Sequence, residues 1–298
     1  MAKTKVITVM SRKVGIFSNA LNIIQNIIND KYGFIGLLIL AIITGLGVIA
    51  PYLPIPDYNS IEFPRLMPPS EQHIFGTDYL GRDILSRTIW GARISLSVGI
   101  VAAGIASMIG IILGTIAGYY SGFLDNIISR FTDIFLVIPG FFLALTIVAI
   151  YGSNLYLIMI IIGLTTWPAT ARIMRAQVMQ VKEFLYVEAV KALGASNTRI
   201  LIKHIIPGAI QPAIANTILQ IGNAIIIEAG LSYLGLGDPN FPSWGRIIYE
   251  GQPYIASAWW STLFPGIFLV LTVLGLSFIG DSLNRILTPK IKQISTKI

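Results

Sequence analysis

Val187-Glu188-Ala189-Val190-Lys191-Ala192-Leu193-Gly194 is followed, ten residues further on, by His204-Ile205-Ile206-Pro207. This polar island sits between two apolar runs, about 155–175 and 208–231. Each reaches the roughly twenty residues that cross a bilayer as a helix. Spans in membrane chains are usually joined by short loops, whereas this connection takes about thirty basic-rich residues. A connection of that kind predicts a structured surface on which something docks. Over 180–193, apolar and polar residues alternate at helical spacing (Val181, Phe184, Leu185, Glu188, Ala189, Ala192). Gly194 stops the helix, because glycine accepts the left-handed conformation of a helix end. Ser196 or Asn197 caps a second short helix through Arg199 and Ile202. Pro207 is expected to break that helix and open the next span. The product is a helix, a sharp turn and a helix at the membrane face. Glu188 and Lys191 point off it, and Ala189 and Ala192 leave room for a partner.

Working outward, the chain is 54% hydrophobic and 12% charged. Soluble domains carry about 25% charged residues, so lipid is the natural solvent. Six segments are of spanning length: 34–53, 95–119, 128–151, 155–175, 208–231 and 261–281. The expected fold is an all-α polytopic membrane protein of about six transmembrane helices, with short turns near 121–125 and 152–154. Its parts are a tail with an amphipathic helix (1–33), a first span (34–53), a loop (54–94), a core (95–282) containing the island (180–207), and a tail (283–298). The basic amino terminus precedes an apolar run too late and too long for a signal peptide, which reads as a retained first span. Without cysteine there are no disulfides, thiolate sites or cysteine nucleophiles. Two histidines argue against a histidine-built metal centre. The net charge of +7 is scattered along loops, which argues against nucleic acid and for membrane orientation.

With both termini cytoplasmic, sixteen of the 21 Lys and Arg fall on the inside and five on the outside. The positive-inside rule therefore favours that topology. Arg172 and Arg175, ending the fourth span, would snorkel to the inner headgroups. Leu21, Ile24, Ile27 and Ile28 recur at helical spacing, reading as an interfacial amphipathic helix or else a loosely ordered tail. Gly110, Gly114 and Gly118 share one helix face, where another backbone can approach closely. Pro139, Pro168 and Pro265 each free a carbonyl within a span, which fits helices kinked around a pathway or static kinks.

Asp78, Arg82, Asp83 and Arg87 lie three to five residues apart, suiting either a salt-bridged helical surface or a solvated folded loop. Trp244, Trp259, Trp260, Tyr249 and Tyr254 fall in 232–260 as headgroup anchors or contacts for a docked protein. Glu228, near the outer end of the fifth span, is expected to be hydrogen-bonded beside the glycine-rich turn or to contact substrate. Asp133 is expected to pair with Arg130.

Glu188-Ala189-Val190, Gly194 and His204-Ile205-Ile206-Pro207 resemble the signature of ABC importer permease subunits: Glu-Ala-Ala, three residues, Gly, nine residues, Ile, one residue, Leu-Pro. The departures are Val190, His204 and Ile206. Three more stretches resemble the C-type permeases of the dipeptide/oligopeptide/nickel branch. They are His73-Ile74-Phe75-Gly76-Thr77-Asp78-Tyr79-Leu80-Gly81-Arg82-Asp83, Glu228-Ala229-Gly230-Leu231-Ser232-Tyr233-Leu234-Gly235-Leu236-Gly237 with Pro242-Ser243-Trp244-Gly245, and Gly280-Asp281-Ser282-Leu283-Asn284. The resemblance covers nearly everything after the first thirty residues. It implies a MetI-like permease fold whose coupling helix docks on a cytoplasmic ATPase through Glu188, Ala189, Lys191, Gly194, Ala195, Arg199, His204 and Pro207. It also implies a B-type permease partner, two ATPase subunits that use ATP and Mg, and an extracytoplasmic binding protein. Glu228, Trp244, Arg82 and Asp83 would lie on the binding-protein or gate side.

The chain lacks a Gly-x-x-x-x-Gly-Lys-Ser/Thr loop, so nucleotide would be bound by a partner and this chain would hold no cofactor. The leading expectation is thus a non-catalytic membrane subunit in the cell membrane, importing peptides, with oligosaccharides or nickel as alternatives. A stand-alone secondary transporter would place paired ionisable groups at mid-membrane, where this chain has almost none. An intramembrane enzyme would need a motif such as Gly-x-Ser-x-Gly or His-Glu-x-x-His, and neither occurs.

Overall fold

Apolar runs of spanning length have one way to satisfy their backbone in lipid, which is to close every hydrogen bond within a helix. The computed structural model describes residues 16–287, and every regular element among them is helical. In chain order these are α1 (Ile16–Asn29), α2 (Lys31–Ile49), α3 (Ile84–Tyr120), α4 (Gly122–Val137), α5 (Gly140–Tyr151) and α6 (Leu155–Val181). They continue with α7 (Leu185–Ala192), α8 (Asn197–Ile200), α9 (Ile206–Leu231), α10 (Trp244–Gly251) and α11 (Trp260–Leu287). Among these residues five helical stretches can cross a membrane, and six if α4 and α5 form one span. That matches the six expected segments.

The amphipathic segment before the first span is helical: α1 turns Ile23 and Ile27 onto Ala215 of α9 and Leu283 of α11. Asp30 then caps α2, accepting from the Gly33 amide at 3.0 Å and from Arg285 Nη2 at 2.7 Å. That pair ties the start of the first span to the end of the last. The last helix runs on to Leu287, so the first residues of the expected 283–298 tail continue it.

The centre of the bundle is α3 against α6. Gly110, Gly114 and Gly118 face Thr170, Ala171, Met174, Arg175 and Val178, and a Cβ on any of the three would collide with that helix. Without side chains there, the two backbones pack directly. The expected face of small residues is therefore a packing seam. Val98, Ala102, Ala144, Val148, Ile158, Ile162 and Leu231 fill the core on one side of it.

The prolines differ in outcome. At Pro139 the chain bends by 78°, with Ile138 and Pro139 extended between α4 and α5. Pro168 and Pro265 lie inside unbroken helices. Pro207 was expected to break the helix before it. Instead Leu201–Ile205 forms a widened, π-type turn, and helical structure runs from Asn197 to Leu236. A wider turn moves the preceding carbonyls away from the proline ring and removes the clash that would end an α-helix. The turn expected near 121–125 is only Ser121, at φ 53°, between α3 and α4.

Arg172 and Arg175 do not end the helix, since α6 continues to Val181. Arg172 Nη2 pairs with Asp133 at 2.6 Å, which replaces the expected Asp133–Arg130 pair. Arg175 Nη2 donates to Asp125 at 2.7 Å. A helix-to-helix ion pair satisfies both charges where the guanidinium would otherwise have to reach for headgroups.

Candidate functional site

Successive spans alternate in direction, which places α7 and α8 at the end of the bundle that also holds Asp30 and Arg285. We call this the open end. Here α6 finishes at Val181, earlier than the helix expected over 180–193. Residues 182–184 turn the chain before α7 starts. Leu193 follows α7, and Gly194 adopts φ +76°. Its amide donates to the Lys191 carbonyl at 3.0 Å and the Ala195 amide to Val190 at 3.4 Å, which closes the turn. Among the described residues, nothing lies within 4 Å of where a Cβ at Gly194 would sit. Glycine is required here by backbone conformation alone. Ser196 occupies the cap position of α8 without a side-chain hydrogen bond.

The helix–turn–helix is held rigidly underneath. Val187, Ile200 and Ile205 are buried with Met174, Val178, Val181, Ala209 and Ala213. The Tyr119 hydroxyl donates to Asn197 Oδ1 at 2.8 Å, and Lys182 Nζ to Ser121 Oγ at 2.6 Å. The Tyr186 hydroxyl donates to the His204 carbonyl at 3.2 Å. On top, Glu188, Ala189, Lys191, Gly194 and Arg199 are exposed, and so is Pro207. Ala195 and His204 are half-buried. Leu185 and Leu193 are 82% and 86% exposed, although both are large and apolar. Neither leucine stood out in the sequence, where each fits a helical repeat. A cleft of about 430 Å³ at this end is lined by Tyr119, Tyr120, Lys182, Glu183, Glu188 and Lys191.

At the opposite, capped end, residues 54–83 fold over α10 and the start of α11. The charges at 78–87 are neither solvated nor on a helical surface, because Asp78, Arg82, Asp83 and Arg87 are all buried. Arg82 Nε donates to Asp78 at 2.6 Å, and its Nη2 to Glu250 at 2.6 Å. Arg87 Nη1 bridges Asp78 and Glu250 at 2.7 Å each. Arg246 holds the other Glu250 oxygen at 2.9 Å. Burial opposes the Glu250 charge, but Arg87 and Arg82 outweigh it and hold the carboxyl below its ordinary range. In the sequence Glu250 has a single local sign, Arg246 one helical turn before it.

Asp83 accepts from the Ser86 amide at 2.8 Å and caps α3, which is why α3 starts at Ile84 rather than after a loop ending at 94. Its other oxygen meets His73 Nδ1 at 2.9 Å. Trp244 is fully buried, donating from its indole to the Thr88 carbonyl at 3.0 Å. Trp260 is buried and donates to Thr77 at 3.2 Å. Neither indole therefore sits at headgroups or on a docking surface, whereas Trp259 is half exposed. Glu228 is buried and accepts from Ser232 at 2.6 Å beside the turn at Gly235. Arg82, Asp83, Glu228 and Trp244 thus all lie buried at the capped end.

A third feature lies between the ends. The elbow at Pro139 faces α6 and α9 across a cavity of about 530 Å³, lined by Pro139, Phe141, Thr166, Asn216, Gln220 and Asn223 among others.

Residues 110–293 match the family described as the binding-protein-dependent transport system inner membrane component. The chain is 40% identical over 265 residues to the dipeptide transport system permease protein DppC of Alkalihalophilus pseudofirmus, covering 88% of this chain and 87% of that one. It is 38% identical to the oligopeptide transport system permease protein OppC of Bacillus subtilis, over 89% and 88%. It is also 38% identical to the glutathione transport system permease protein GsiD of Pectobacterium atrosepticum, over 86% of each chain. Among solved structures, an inward-facing MetNI methionine ABC transporter chain superposes with a TM-score of 0.54 at 21% identity, over 69% of this chain and 96% of that one. A chain of an amino acid ABC transporter gives 0.52 at 18%, over 67% and 94%. These two likenesses are likenesses of fold.

Proposed function

Because the chain belongs to the family of binding-protein-dependent transport system inner membrane components, we propose that it is one membrane half of an ATP-driven importer of dipeptides and oligopeptides. A second, B-type permease completes the passage, and two cytoplasmic ATPase subunits bind ATP and Mg. An extracytoplasmic protein delivers the substrate. Both termini are cytoplasmic, by the distribution of Lys and Arg. The three permeases named above carry amide-linked cargo in their titles, which supports peptide over oligosaccharide or nickel.

One observation carries the proposal: a rigid two-helix platform that presents Leu185 and Leu193 to solvent at the open end. Exposed leucines flanked by Glu188, Lys191 and Arg199 suit an apolar cleft with a charged rim on a protein partner. Closure of the two ATPases around ATP would move this platform, and the rigid seat beneath would pass the movement to α6 and α9. Only contacts that differ between the two states of the ATPase pair can drive such a switch.

The test is reconstitution of the permease pair, ATPases and binding protein into liposomes, followed by uptake of a radiolabelled dipeptide. We expect uptake that needs ATP and the binding protein. In Gly194→Val, ATP hydrolysis should continue while uptake falls. Uptake driven by a proton gradient without ATP would overturn the proposal.

A further inference from the structure

Asn223 is a polar side chain on the middle of a membrane-spanning helix, exposed, and without a hydrogen-bond partner among the described residues. A primary amide has two donors and an acceptor carbonyl. Left facing hydrocarbon, such groups cost several kcal/mol, so lipid is excluded as its neighbour. Its surroundings repeat the pattern. Asn216, Gln220 and Asn223 recur at spacings of four and three and form one stripe along α9. Asn216 Nδ2 donates to Thr170 Oγ1 at 3.0 Å, and Gln220 Nε2 to the Thr166 carbonyl at 3.1 Å. Those two amides are seated on α6; Asn223 carries the stripe past the last such partner.

The elbow across the cavity gives an independent reason to put water or cargo there. Ile138 and Pro139 are non-helical inside an apolar span. Backbone of that kind is tolerated at membrane depth where it is buried in protein or lines a wet cavity. Both residues line the same cavity of about 530 Å³ as Asn216, Gln220 and Asn223. Among the described residues the lining has no Lys, Arg, Asp or Glu, so its polarity is that of neutral amides and hydroxyls.

We propose that the Asn216–Gln220–Asn223 stripe and the facing Pro139 elbow form this chain's cargo-contacting wall. The wall would engage neutral amide groups, such as a peptide backbone, through hydrogen bonds that do not depend on the cargo's side chains. The proposal rests on the importer reading above. Amides donate and accept alike, so the wall would guide peptides of any sequence without binding one charge type tightly.

The test uses the assembled transporter in liposomes. The chain has no cysteine of its own, so a single introduced thiol reports its own surroundings. Asn223→Cys is compared with Val270→Cys on the exposed apolar face of α11. We expect a membrane-impermeant methanethiosulfonate reagent to modify the thiol at 223 much faster than the one at 270. Equal rates would mean that Asn223 packs on another subunit, and would overturn the proposal. Dipeptide uptake should fall about tenfold in Asn223→Leu, the size of one lost hydrogen bond, and recover in Asn223→Gln. It should stay low in Asn223→Asp. Full uptake in Asn223→Leu or Asn223→Asp would also overturn it. Absence of ATP-dependent uptake in the unsubstituted complex would strike the importer reading instead, and the labelling ratio is readable in either case.

Discussion

At the capped end, Arg82, Arg87 and Arg246 turn inward onto Asp78 and Glu250, and two tryptophans close over the backbone nearby. At the open end, Glu188, Lys191 and Arg199 turn outward, and two leucines stand in solvent beside them. The first arrangement is closed within one chain: Asp78, Arg82, Arg87 and Glu250 each have an opposite charge within 3 Å. The second leaves apolar surface that one chain cannot cover. If the open end docks a partner as proposed, stability and recognition are divided between the two ends, and substitutions should separate them.

The largest effect is expected at the capped end. Arg87→Ala leaves Asp78 and Glu250 buried with less countercharge. Removing one partner of such a network costs about 3–5 kcal/mol. Chemical denaturation in detergent micelles measures it, and a loss below about 1 kcal/mol would show that the cluster is hydrated. The same cluster makes the cap sensitive to acid. Glu250 has a folded value below its ordinary 4.5, so its contribution is complete above 4.5 and disappears as the pH falls through the lower folded value. Melting temperature followed downward from pH 5 should drop in the unsubstituted protein. Glu250→Gln should start lower and change less over that window.

Next comes the seat of the platform. Ile200→Ala empties a buried site and should cost about 2–5 kcal/mol. The same denaturation series reads it, and uptake should fall with it. Gly194→Ala meets no atom but forces alanine to φ +76°, at about 1–2 kcal/mol. The smallest stability effect belongs to Leu193→Ala, within about 0.5 kcal/mol because the side chain touches little. It should nevertheless weaken ATPase association markedly in a pull-down of the assembled complex. If Leu193→Ala destabilised the isolated chain as much as Ile200→Ala does, the division between the two ends would fail.

Much of this was legible in the residues. Hydropathy found the spans because lipid imposes one length and one polarity on each. Gly194 marked its turn because only backbone conformation is at issue there. The capped end was not legible, since its partners are far apart: Arg87 and Glu250 are separated by 163 residues. Four charges within ten residues look solvated until the chain brings a fifth one back to them. The prolines were legible as positions of strain but not in their outcome. Pro139 yields a 78° elbow, while Pro168 sits in an unbroken helix held by the α3 seam and by Gln220. Asp133 illustrates the same limit. Arg130 lies nearby in sequence, but Arg172 lies opposite in space.

The widened turn at Leu201–Ile205 would, in the importer proposed above, let the two ends communicate by simple leverage. Because Pro207 does not sever the helix, the platform's second arm and α9 form one continuous helical bar. The 26 residues of α9 alone span roughly 39 Å. Pivoting that bar by about 5° at the platform swings its far tip by about 3 Å. Asn216, Gln220 and Asn223 ride along it, and Glu228 and Ser232 sit at the tip, against the buried Trp244 helix. A hinge at Pro207 would have absorbed such a pivot locally; the extra residue in that turn lets a nudge at one face of the membrane arrive at the other.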